Sequence, residues 1–191
     1  MIVSILKKTL KDIETELAEQ TDRGAAIIAC AILDDFLTEA LQKRLVTNKE
    51  VIGRLFNYEA NGPLAHFAAK IDIGFAVGII KADMWSDLHN IRRTRNYFAH
   101  RAESLKFSNA KIARWCSELL TAKPEWKDPR ERYLKVCSGM SAVFAVFKST
   151  DIKLASVYMD RRIKEQHLEE FIKLIDRHIE EFDSRHPRSG R

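Results

Sequence analysis

The chain has 191 residues, 46% hydrophobic and 31% charged, with 32 basic against 27 acidic side chains and a formal charge of +5. That is long and apolar enough for one domain with a real core, and it excludes a disordered chain. The pI near 9.1 admits a polyanionic partner without requiring one, because the basic residues are spread along most of the chain. Cys30, Cys116 and Cys137 are odd in number and lack CxxC spacing, which argues against a disulfide framework or a zinc site and for a reducing interior. The apolar start Ile2-Val3-Ser4-Ile5-Leu6 is too short for a signal peptide, and no window approaches about 18 apolar residues without charge. The expectation is a cytoplasmic protein with no membrane contact.

Taken in order, residues 2 to 19 space Ile5, Leu6, Leu10, Ile13 and Leu17 as one stripe of an amphipathic helix. Thr21 or Asp22 suits the cap of a second helix over 23–46. That helix is apolar nearly all round, with Cys30, Leu33 and Leu37 on one side and Ile28, Ile32 and Phe36 on the other. Such a helix is normally central, yet Asp34, Asp35 and Glu39 interrupt it. Asn61-Gly62-Pro63 ends a loop and predicts a third helix over 63–81. Within it Gly74 and Gly78 lie four apart, which suggests close backbone packing against a neighbour.

Asp83 is the expected cap of a fourth helix running to about residue 99, and Ser108 or Asn109 that of a shorter one through Leu120. Residues 121–127 form a linker, and Asp128-Pro129 opens a helix over 129–148. Ser149-Thr150-Asp151 marks a break before a last amphipathic helix over 161–183 and a basic tail, 184–191. No stretch alternates strongly enough for a sheet. The fold expected is an all-α bundle of six to seven helices. Its core spans 1–120, with helices from 128–183 packed on the same domain.

The chemistry concentrates in Ile91-Arg92-Arg93-Thr94-Arg95-Asn96-Tyr97-Phe98-Ala99-His100-Arg101. At about 100° per residue, His89, Arg93, Asn96 and His100 share a polar face, while Arg95 falls among apolar residues on the other side. A guanidinium in that position needs an anionic partner because it cannot shed its charge. Asp34, Asp35, Glu39 and Asp72 are the candidates for a structural ion pair, and His89, Arg92, Arg93 and Arg101 for a basic surface. Arg95 and His100 lie about 140° apart on an ideal helix. For both to meet one phosphate, the helix must end near Ala99 or a second subunit must supply one of them.

Several motifs in this order resemble the mannitol operon repressor family: Phe36-Leu37-Thr38-Glu39-Ala40-Leu41, Asn61-Gly62-Pro63-Leu64, Val77-Gly78-Ile79-Ile80 and Arg95-Asn96-Tyr97-Phe98-Ala99-His100. The likeness covers residues 23–115. It implies an all-helical bacterial transcriptional regulator without a helix-turn-helix. No short glycine-containing turn joins two short helices with a basic recognition face here either. Such a repressor would act through dimerisation and a protein partner.

Arg95-Asn96-x-x-x-His100 separately resembles the Arg-x4-His element of HEPN-domain proteins, helical dimers that include metal-independent ribonucleases. That likeness implies Arg95 on the scissile phosphate, Asn96 as the polar residue after it and His100 as the proton carrier. The chemistry is sound, since RNA cleavage needs proton transfer at two oxygens and cationic stabilisation of the phosphorane. It implies RNA, rather than base-read DNA, as a nucleic-acid partner, a homodimer, and no metal or cofactor. No histidine spacing suits a metal, and Trp85, Trp115 and Trp126 read as packing residues, because base-stacking platforms come interleaved with a basic groove.

Overall fold

The structure, a computed structural model, describes residues 11, 13–45 and 48–149. The helix expected over 161–183 and the tail 184–191 lie outside them, as does the start of the first helix. All the regular structure among the described residues is helical: α1 (13–18), α2 (Asp22–Arg44), α3 (Lys49–Phe56), α4 (Phe67–Ala76), α5 (Ala82–Ala99), α6 (Ala110–Ser117) and α7 (Pro129–Ser149).

Thr21 caps α2 by accepting the Gly24 N–H at 3.1 Å, which leaves Asp22 to hold two distant segments. Its carboxylate accepts the Phe107 N–H at 2.8 Å and pairs with Arg130 at 2.6 Å. Arg130 also donates to the Leu17 and Gln20 carbonyls, so one guanidinium joins the start of α7 to the α1–α2 corner. Leu33, Leu37 and Leu41 of α2 are fully buried, whereas Ile28, Ile32 and Phe36 on its other side stay half-buried. The helix is therefore central but not enclosed all round.

Helix α3 was not among the expected elements. It is two turns long and buries no residue, so its apolar stripe is too short to stand out; its cap, Asn48 accepting the Val51 N–H at 3.1 Å, is the readable signal. The helix expected from Pro63 begins only at Phe67. Residues 57–66 instead turn back onto the end of α3, where the Leu64 N–H donates to the Leu55 carbonyl at 2.8 Å. Gly62 is needed for that approach, because a Cβ there would lie 2.6 Å from the Leu55 carbonyl oxygen.

Helix α4 also ends sooner than expected, at Ala76, because Gly78 takes φ of 77° and reverses the chain. The Ile79 and Ile80 N–H groups then donate back to the Gly74 carbonyl. The two glycines thus have different duties. Gly74 lies under Ile80 and against Leu37, while a Cβ on Gly78 would meet open space. A glycine-containing turn does therefore join α4 to the long α5, whose first turn carries Asp83 and no basic residue. Helix α5 starts after Lys81, not at a cap by Asp83, whose carboxylate accepts the Met84 N–H inside the first turn.

Helix α5 is the axis of the domain, touching α2, α4, α6 and α7, while α7 lies along α2. Asp87, 0% exposed, reaches from α5 to the segment after α6. It accepts the Leu120 N–H at 2.7 Å, the Thr121 N–H at 2.8 Å and the Thr121 hydroxyl at 2.6 Å. Those bonds end α6 before the expected Leu120. Burial pushes the Asp87 carboxyl above its ordinary range, and the three donors work against that shift. Asp128 and Pro129 open α7 as expected, with Asp128 accepting the Glu131 N–H. The buried Tyr133 hydroxyl lies 3.1 Å from the Ala26 carbonyl and 3.4 Å from that of Ile91, tying α7 to α2 and α5.

Candidate functional site

The α5 residues singled out above separate into three environments. The first is the seam between α2, α4 and α5. Arg95 is half-buried there and lies close enough to the Cys30 thiol to favour its ionised form. Asp34 lies within electrostatic range of Arg95, but its hydrogen-bonded ion pair is with Lys70 on α4, at 2.8 Å. Lys70 is 8% exposed, and lysine–carboxylate pairing is what makes such burial tolerable. Burial raises the Asp34 carboxyl above its ordinary value, and Lys70 opposes the rise. Asp35 is exposed and Glu39 half-buried on the same helix. Nothing about Lys70 distinguishes it in the sequence except its place on the apolar stripe between Phe67 and Ile71.

The cysteine in this seam is no nucleophile. Burial pushes the Cys30 thiol up to about 11 although Arg95 pulls the other way, carries Cys116 to about 12, and raises Cys137 well above its ordinary value. A thiolate is therefore scarce at neutral pH at all three.

The second environment is the edge between α4 and the start of α5. Asp72 is exposed and accepts from the Trp85 indole N–H at 2.9 Å, with His89 Nε2 at 3.1 Å from the same oxygen. The indole N–H above all holds the Asp72 carboxyl below its ordinary range. Trp85 is 38% exposed and Phe75 47%, and their rings lie 6.0 Å apart, so Trp85 is a surface residue as much as a packing one. Arg92 lies within electrostatic range of both Asp72 and Cys30, and its Nε is buried without a hydrogen-bond partner. His66 stacks edge-on against Tyr58, and Asp87 is committed to residues 120–121.

The third environment is where the end of α5 meets α6. Arg93, Tyr97 and Arg101 follow one another at four-residue spacing, as do Lys111 and Trp115 on α6. The Tyr97 and Trp115 rings meet edge to face at 5.5 Å. Arg93 lies 5.4 Å from the Trp115 ring and Arg101 5.1 Å from that of Tyr97. The Lys111 ammonium is within 5.0 Å of Tyr97 and 5.2 Å of Trp115. Trp115 thus departs from the expectation of a plain packing residue. The i, i+4 alternation of cation and aromatic was the available signal.

Asn96 is half-buried, and the chain leaves the helix at Ala99, so His100 is an exposed C-cap whose N–H donates to the Asn96 carbonyl at 3.1 Å. No described contact joins His100 to Arg95. Arg95 belongs to the α2 seam, and the proposed basic surface divides, with His89 and Arg92 toward α4 and Arg93 and Arg101 toward α6.

A family model described as mannitol repressor matches residues 11–133. No curated protein and no solved structure matches the chain. The matched span closes at Tyr133, the buried side chain that locks α7 onto α2 and α5.

Proposed function

The chain belongs to the mannitol repressor family, and we propose that it represses transcription as a dimer acting through a protein partner rather than by placing a helix in the major groove. The observation that supports this is the setting of α5. It follows a short glycine-containing turn, where a recognition helix would stand, but it is packed against α2, α4, α6 and α7 and buries Met84, Leu88 and Ile91. Its first turn carries Asp83 rather than a base-reading arginine. A groove-reading helix needs one long face free of its own domain. The exposed Phe75 and Trp85 are side chains of the kind that anchor protein contacts.

The ribonuclease reading rests on the spacing of Arg95, Asn96 and His100; no observed contact brings them to a common point. The regulator reading is tested with duplex DNA spanning the promoter of the protein's own gene cluster. The expected result is a dimer by sedimentation equilibrium that protects no sequence by footprinting when alone and gains protection with its partner present. Sequence-specific protection by the purified chain, at the affinities of about 10⁻⁸ M or tighter typical of repressors, would overturn it.

A further inference from the structure

We infer that the Tyr97–Trp115 surface at the junction of α5 and α6 binds single-stranded nucleic acid, with bases stacking on the two rings and Arg93, Arg101 and Lys111 taking the phosphates. Packing of α6 onto α5 is enough to explain an edge-to-face ring pair. It does not explain three cations gathered on the same two rings. All three cations are exposed, and none has a carboxylate at ion-pair distance among the described residues. Like charges crowded in this way repel one another, and cation–π contacts at an exposed site are weak compensation. A polyanion relieves the repulsion, and release of its counterions adds to the affinity.

The aromatic pair selects the form of polyanion. Both rings are half-buried, so each is anchored on one side and accessible on another. Base–aromatic stacking is stronger than an exposed cation–π contact. A base can therefore displace a cation from a ring face and leave it free to meet the neighbouring phosphate. Bases inside a duplex are not available for this exchange, whereas those of an unpaired strand are. The i, i+4 spacing sets Arg93 beside Tyr97 on α5 and Lys111 beside Trp115 on α6, and Arg101, just past the end of α5, lies over the Tyr97 ring, which suits a strand running across the two helices. This surface is separate from the Arg95 seam and independent of the protein partner proposed above.

The test uses the full chain and fluorescence anisotropy of a labelled oligouridylate of about a dozen nucleotides, with the same length of single-stranded DNA, duplex DNA and inorganic polyphosphate as the other probes. The expected result is salt-dependent binding of both single strands, at least about tenfold tighter than duplex or polyphosphate. Which of RNA and DNA binds more tightly identifies the natural source. Trp115→Ala should weaken binding about tenfold or more, and Trp115→Phe should restore most of it. Arg93→Gln and Lys111→Gln change only exposed charges, so they test the site even if Trp115→Ala fails to fold; each should weaken binding severalfold and flatten its salt dependence. Equal affinity for polyphosphate, or binding undiminished in the Arg93→Gln and Lys111→Gln chains, would overturn the proposal. The second result would place binding elsewhere, as on the basic tail. Absence of binding at about 100 µM in low salt would overturn it as well.

Discussion

Asp87 shows how a residue can govern the domain without announcing itself in the sequence. It stands in an amphipathic helix between Ser86 and Leu88, where an acidic side chain reads as surface. In the fold it is fully buried and closes the end of α6 through Leu120 and Thr121. Partners 33 and 34 residues away cannot be read from helical periodicity. Arg95 is the reverse case, since its position among apolar residues pointed to the core side of α5 and the seam with α2 is where it lies. Lys70 as the partner of Asp34 was not legible, because which acid meets which base is set by how α4 crosses α2. Asp87→Ala leaves two backbone N–H groups and a hydroxyl without their acceptor. The expected loss is at least about 3 kcal/mol by urea unfolding, at about 1–3 kcal/mol for each of the three groups. A loss within the ordinary surface range of about 0.5 kcal/mol would mean that residues 120–121 are held by something other than this carboxylate.

At the scale of elements, long helices were readable and their ends less so. The bounds of α2 and α7 and the end of α5 followed from apolar spacing and capping residues, while the start of α5 did not. The end of α6 was decided by a distant contact with Asp87, that of α4 by the positive φ of Gly78, and α3 was too short for its stripe to stand out. Gly74 and Gly78 make the point testable, because equal spacing conceals two causes. A Cβ on Gly74 would lie 2.6 Å from Ile80 Cδ1, while the constraint on Gly78 is its φ of 77°. Gly78→Ala should cost about 1–2 kcal/mol whatever residue stands at 80. Gly74→Ala should also destabilise, but Ile80→Val removes the clashing methyl. The Gly74→Ala/Ile80→Val pair should therefore be more stable than the sum of its single changes by about 1 kcal/mol in a double-mutant cycle. Strict additivity would show that close packing is not what requires glycine at 74.

For the whole molecule, the all-α bundle was evident from periodicity, whereas the division of the Arg-rich stretch among three environments depended on which helices flank α5. That division has a consequence for stability against pH. Asp34 and Asp87 are carboxyls raised by burial above the ordinary value of 3.8, so the folded chain keeps their protons to higher pH than the unfolded chain does. Wherever the folded state binds more protons, stability falls as pH rises. Their favourable contribution is complete below the unfolded value and is lost as pH climbs through the raised folded values. Asp72, lowered chiefly by the Trp85 N–H, acts in the opposite sense, losing its contribution as pH falls; its exposure to solvent keeps that effect small. The net expectation is a domain that loses stability from these two groups as pH rises from about 4 toward 7. Asp34→Asn cannot titrate, so its unfolding free energy, measured by urea at a series of pH values, should fall less steeply over that window than wild type. The variant will be less stable at every pH for want of the Lys70 pair, and the slope, not the offset, carries the result. Parallel curves would mean that the α2–α4–α5 seam does not hold the Asp34 proton more tightly than water does. In that case the Lys70 ammonium at 2.8 Å would balance the effect of burial on that carboxyl.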